Sequence, residues 1–185
     1  MFSLEDIFKW FPGSSRSTVK NQLGSWIAKG YLLRLRRNLY FLKETGLKEE
    51  FILANYLYQP SYVSLESALN YHGIIPDVPF TVTSVTTKKT QEFKTPFGLY
   101  TYRTLKSELF FGWQGIKAGE QNYKLATPEK TLFDYLWLNQ RNFGKNFPEE
   151  ERFSFGKDFD WSQFKQYVFL IKNKTFQRLA GKLYD

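Results

Sequence analysis

The sequence predicts an α+β chain in two parts: a helix and hairpin unit over residues 1–45, and a mixed α/β domain over residues 46–185 with a central, mostly antiparallel sheet and a C-terminal helix. Three observations lead there. The hydrophobic period changes from about 3.6 to about 2 residues at Gly30, β-prone segments crowd between residues 80 and 126, and Thr127-Pro128-Glu129 opens a helix with proline at its first position.

In the first part, Leu4, Ile7, Phe8 and Phe11 recur at helical spacing behind Ser3, an N-cap residue, and Pro12-Gly13 ends the segment. Ser14 and Ser15 cap a second helix of about 16 residues and roughly 24 Å. Its buried stripe is expected at Val19, Leu23, Trp26 and Ile27, and Gly30 stands at its C-cap. The face opposite that stripe carries Ser17, Asn21, Gly24 and Ser25, flanked by Arg16, Thr18 and Lys20, with no carboxylate among them. Residues 31–36 then alternate, Arg37-Asn38 forms a tight turn, and Leu39-Tyr40-Phe41-Leu42 returns, a hairpin with arginines at its tip.

Composition shifts at Thr45-Gly46, where the boundary is placed. A helix is expected over Glu49 to Tyr58, stopped by Gln59-Pro60, and another after Ser64 as cap, closed by Gly73. Strands are expected at 80–87, 92–95, 98–103, near 109–113 and at 120–126. The Thr127 helix presents Leu132, Phe133, Leu136 and Trp137, and one last amphipathic helix is expected from Trp161 to Leu183.

The 185 residues hold 26 Lys and Arg against 18 Asp and Glu, a net charge of +8, with one His and no Cys. No stretch reaches the roughly 18 to 20 apolar residues of a membrane helix, and the first residues have neither a basic nor an apolar signal region. A cytoplasmic protein without membrane association is therefore expected. The absence of Cys removes disulfides, thiolate metal sites and thiol nucleophiles, and His72 alone builds neither a triad nor a multi-histidine metal site. Packing or capping beside Gly73 is the role expected for it. No phosphate-binding glycine loop or dinucleotide fingerprint is present. The one enzyme-like pattern is Pro76-Asp77 upstream of Glu92-Phe93-Lys94, the loose arrangement of metal-dependent nucleases in which two carboxylates hold the metal and Lys stabilises the reacting phosphate. It has few fixed residues and a variable gap, so the expectation is no enzyme, no cofactor and no metal, with the nuclease as the alternative.

The charge is unevenly placed. Between Ile7 and Lys43 stand eight basic residues and no acidic one, so the first 45 residues carry five of the eight net charges. A helix followed by a basic-tipped hairpin is the layout of a winged helix-turn-helix, in which the helix enters the major groove and the wing holds flanking backbone or minor groove. The residues expected on DNA are Arg16, Ser17, Thr18, Lys20 and Asn21 in the groove, with Asn21 suited to an adenine edge, and Arg34, Arg36 and Arg37 on phosphate or in the minor groove. Winged helices also mediate protein contacts, so a protein-interaction module is a further alternative.

Gly30-Tyr31-Leu32, Arg37-Asn38-Leu39-Tyr40, Ser61-Tyr62-Val63-Ser64-Leu65-Glu66-Ser67-Ala68-Leu69 with His72-Gly73, the Thr-Val strand at 81–86, and Thr127-Pro128-Glu129-Lys130-Thr131-Leu132-Phe133-Asp134 follow in an order that resembles the AbiEi family of bacterial regulators, over residues 14 to 137. These are antitoxins of type IV toxin–antitoxin systems involved in abortive infection. The resemblance implies a winged helix that binds repeats in its own promoter as a repressor, joined to an α/β domain needed for antitoxin action against a nucleotidyltransferase toxin, with no direct complex required. Two features depart from the pattern: the region before the second helix is short, leaving Ser3 to Phe11, and the wing turn carries Asn38 where the family often has Gly.

Overall fold

The computed structural model describes residues 1–47, 49–144 and 146–184. The first 45 residues form β1 (Phe2–Ser3), α1 (Leu4–Trp10), α2 (Arg16–Ala28), β2 (Leu32–Arg36) and β3 (Leu39–Leu42). The hairpin pairs antiparallel, and β1 adds to the free edge of β3, giving the order β1-β3-β2. Leu4, Val19, Leu23, Leu32 and Tyr40 make a small core between helices and hairpin.

Next follow α3 (Glu50–Leu57), β4 (Ser61–Val63), α4 (Leu65–Tyr71), β5 (Thr81–Thr86), β6 (Gln91–Thr95), β7 (Gly98–Thr104), β8 (Trp113–Ala118), β9 (Gln121–Ala126), α5 (Pro128–Asn139), α6 (Trp161–Leu170) and α7 (Lys174–Gly181). Their six strands lie in the order β6-β7-β5-β4-β9-β8. The sheet is mixed: β5 with β7 and β4 with β9 run parallel, and the other three pairings are antiparallel.

Strand alternation divides the apolar side chains between two layers. Tyr62 and Val85 face α4 to α7, where Leu69, Phe133, Phe164 and Phe176 are buried. Val63, Tyr100, Tyr102 and Leu125 face α3. Leu35, Leu39 and Phe41 of the hairpin belong to this second layer, and the Phe41 and Phe97 rings meet at 4.9 Å. The hairpin is thus buried on both faces, and the helix and hairpin unit is seated on the sheet domain.

Several expectations need correction. The single helix over 161–183 is two: Ile171 is extended, and the Asn173 side chain accepts from the Phe176 amide to start α7. The break folds α7 back, so that Phe176 meets Phe133 and Trp137. The strand expected near 109–113 lies later in the chain: a short turn of 3-10 helix covers Ser107–Leu109, and β8 begins only at Trp113 and runs to Ala118. Gly112 between them has φ +69, and a Cβ there would lie 2.9 Å from the stem of Lys130, so backbone conformation and space both call for glycine. Strand β1, too short to show a period of its own, was not expected at all.

Candidate nucleic-acid interface

Helix α1 starts with a reciprocal cap: the Ser3 hydroxyl accepts from the Asp6 amide at 3.1 Å and the Asp6 carboxylate accepts from the Ser3 amide at 2.7 Å. These hydrogen bonds from Ser3 hold the Asp6 carboxyl below its ordinary value. Helix α2 is capped by Ser15, whose hydroxyl accepts from the Thr18 amide at 3.1 Å. It runs 13 residues, about 20 Å, rather than 16. Gly30, at φ +75, ends it in the left-handed region.

Val19 and Leu23 are buried as expected, but Trp26 is 39% exposed and corrects the predicted stripe. The cause is the brevity of α1, which stops where Pro12-Gly13 turns the chain. Among the described residues nothing then covers the outer side of the helix pair, and Trp10, Phe11 and Trp26 line an open apolar groove.

Arg16, Ser17, Thr18, Lys20 and Asn21 are all exposed. Ser17 and Thr18 are partly engaged, since their hydroxyls lie 3.0 and 2.8 Å from the Ser15 hydroxyl in the cap. The Arg16 guanidinium stands 5.7 Å from the Phe8 ring centroid, which orients it along the start of α2. Arg34, Arg36 and Arg37 are exposed as well, and Asn38 takes the φ of +62 that the tight turn demands. Among the described residues none of these five cations forms an ion pair. Arg36 and Arg37 do not stand on a free wing, however. A bulge between Arg34 and Arg36 bends the tip, and both side chains line a cleft against the sheet domain beside Tyr58 and Lys88.

The motifs of the second domain come together elsewhere, inside the protein. Lys130 and Asp134 of α5, one turn apart, form an ion pair with both side chains fully buried. Asp134 also accepts from the Tyr62 and Ser64 hydroxyls, each at 2.9 Å. The Lys130 ammonium lies 4.8 to 5.6 Å from the ring centroids of Phe133, Phe111 and Tyr62. Burial pushes the Asp134 carboxyl up and the Lys130 ammonium down, and their mutual attraction opposes both shifts. Ser64 was expected to cap α4, but its hydroxyl is spent on Asp134 and makes no cap hydrogen bond. Thr83 ties that helix start down instead, donating from its hydroxyl to the Ser64 carbonyl at 2.8 Å and accepting from the Ser67 amide at 3.0 Å. Leu65, the first residue of α4, is held at φ +58, a costly conformation for a branched side chain that this web of bonds over-determines. His72 lies 2.8 Å from the Ala126 carbonyl through Nε2, the packing role expected of it. The sequence marks these stretches but not their meeting, because Tyr62 and Asp134 are 72 positions apart and the i, i+4 spacing of Lys130 and Asp134 does not tell a buried pair from a solvated one.

Of the nuclease pattern, Asp77 pairs with Arg152 at 2.7 Å, while Glu92 and Lys94 are exposed on the edge strand β6. Among the described residues no three His, Cys, Asp or Glu side chains gather to hold a metal. Nor is any of their helices long and apolar enough to cross a membrane. No family model matches the chain, and no curated protein is significantly similar to it.

Proposed function

We propose that this protein is a DNA-binding transcriptional regulator whose residues 1–45 act as a winged helix-turn-helix on double-stranded DNA. The observation that carries the reading is the acid-free run from Ile7 to Lys43, whose Arg16, Lys20, Arg34, Arg36 and Arg37 stand exposed and form no ion pair among the described residues. Cations left unpaired on a helix and an adjacent hairpin release counterions when they meet phosphates. Asn21, exposed at the middle of the acid-free face, has an amide able to pair with an adenine edge. Arg36 and Arg37 act from a hairpin clamped on the sheet domain, so they hold DNA backbone at a fixed distance from α2 rather than as a flexible wing. The resemblance to AbiEi regulators extends the reading to a cytoplasmic antitoxin that represses its own operon at promoter repeats and counteracts a nucleotidyltransferase toxin.

A gel-shift titration with the DNA upstream of its own gene tests the first part. Binding at low salt that weakens steeply as salt rises is expected, and no shift at low salt overturns the reading. Co-expression with a neighbouring nucleotidyltransferase tests the second, where rescue of growth is expected and continued toxicity refutes antitoxin action.

A further inference from the structure

The cleft beneath the hairpin tip is more than a seam. It has a volume of about 550 Å³, and Arg36, Arg37, Tyr56, Tyr58, Lys88 and Phe93 line it. A second cavity of about 510 Å³, lined by Asn55, Ser61 and Lys124, shares Gln59 and Lys88 with the first, so the two adjoin across those residues, and the pair is termed the trough. Asp6 is the carboxylate on its wall, already occupied by the Ser3 amide and hydroxyl. Arg36, Arg37, Lys88 and Lys124 outnumber it by three charges and have no ion pairs among the described residues. Two of them rest on rings instead: Lys88 lies 5.6 Å from the Tyr58 centroid and Lys124 4.3 Å from that of Trp113.

Two further features point to an occupant. Tyr56 is 39% exposed, and its ring meets no other among the described residues, which leaves a flat surface open to the cleft. Ser61, only 3% exposed, lines the second cavity, and its buried hydroxyl finds no hydrogen-bond partner among the described residues. A buried, unsatisfied hydroxyl beside two lysines is costly unless something polar reaches it.

We propose that this trough is a binding site for a nucleoside triphosphate. Arginine forks and the Lys88 ammonium match a compact polyanion, an exposed tyrosine ring offers stacking to a planar base, and the volume lies in the range of small-ligand sites. An inorganic anion would use the cations and leave the aromatic wall idle. The site shares Arg36 and Arg37 with the DNA reading but does not rest on it, and its test uses Lys88 and Tyr56, neither of which that reading requires.

Isothermal titration of the full chain with ATP, tripolyphosphate and adenosine decides the matter. Saturable ATP binding is expected, with Lys88→Glu weakening it roughly tenfold or more, the scale of one charge-assisted hydrogen bond, while the thermal midpoint stays unchanged. Tyr56→Ala is expected to weaken ATP but leave tripolyphosphate unaffected. Absence of ATP binding up to about 1 mM overturns the proposal. So does tripolyphosphate binding as tightly as ATP, or a short oligothymidine whose binding is lost in Lys88→Glu and Tyr56→Ala and that ATP fails to displace from the wild type. Loss of ATP binding with DNA binding intact in Lys88→Glu separates this site from the regulator surface.

Discussion

Residues 1–45 keep Arg16, Lys20, Arg34, Arg36 and Arg37 exposed with no carboxylate paired to them among the described residues, whereas the sheet domain removes Lys130 from water altogether and gives it Asp134. The first arrangement contributes little to stability, because each charge remains solvated. The second is indispensable once made, because losing one partner strands a charge in a low-dielectric interior. The same kind of charge is thus left to solvent in one region and paired in the core in the other, and burial decides which.

The largest expected effect tests the buried side of that contrast. Asp134→Ala should lower the unfolding free energy by about 3 to 5 kcal/mol in a urea titration, with Lys130→Met, Asp134→Leu together recovering most of the loss. A single-variant cost below about 1 kcal/mol would mean that the pair does not hold β4 to α5. The exposed side should respond in the opposite manner. Replacing Arg36 and Arg37 together by Ala should leave stability within about 0.5 kcal/mol while weakening DNA binding equally on every sequence. The salt slope of binding should fall by about 2, and Asn21→Ala should instead reduce discrimination between sequences.

A smaller effect concerns the capping that presents α2. Ser15→Ala should cost about 1 kcal/mol and loosen the Ser17 and Thr18 hydroxyls, visible as faster amide exchange in the first turn. The smallest is a pH effect on the sheet domain. Burial depresses the His72 imidazole below its ordinary value of 6.5, so the folded state binds its proton less readily than the unfolded chain does. That contribution is complete above pH 6.5 and declines as the pH falls from there toward the depressed value. Denaturation profiles should therefore slope in this window, and His72→Gln should flatten them; an unchanged slope would remove His72 as the source.

Local features were the ones most legible in the sequence. Ser3, Ser15 and Thr127 were readable as caps because capping needs only neighbouring residues, and Asn38 was readable as a tight-turn residue for the same reason. Trp26 was misread because periodicity assigns a face to a side chain without knowing whether another element will cover it. Ser64 was misread as a cap because the competing acceptor, Asp134, arrives from a distant helix. The split between α6 and α7 was missed because the Lys-rich segment keeps helical periodicity across Ile171 to Asn173, and only packing against Phe133 and Trp137 rewards the turn.

The sequence by itself determined the caps at Ser3, Ser15 and Thr127, the hairpin with its turn at Asn38 and the acid-free run of basic residues, since each depends on residues a few positions apart. Tertiary structure alone decided that the hairpin tip lies against the sheet domain, so that Arg36, Arg37, Lys88 and Lys124 border the trough, and that Lys130 is buried while Lys20 is not. Charge is written in the chain, but the dielectric around it is set by which surfaces close over it.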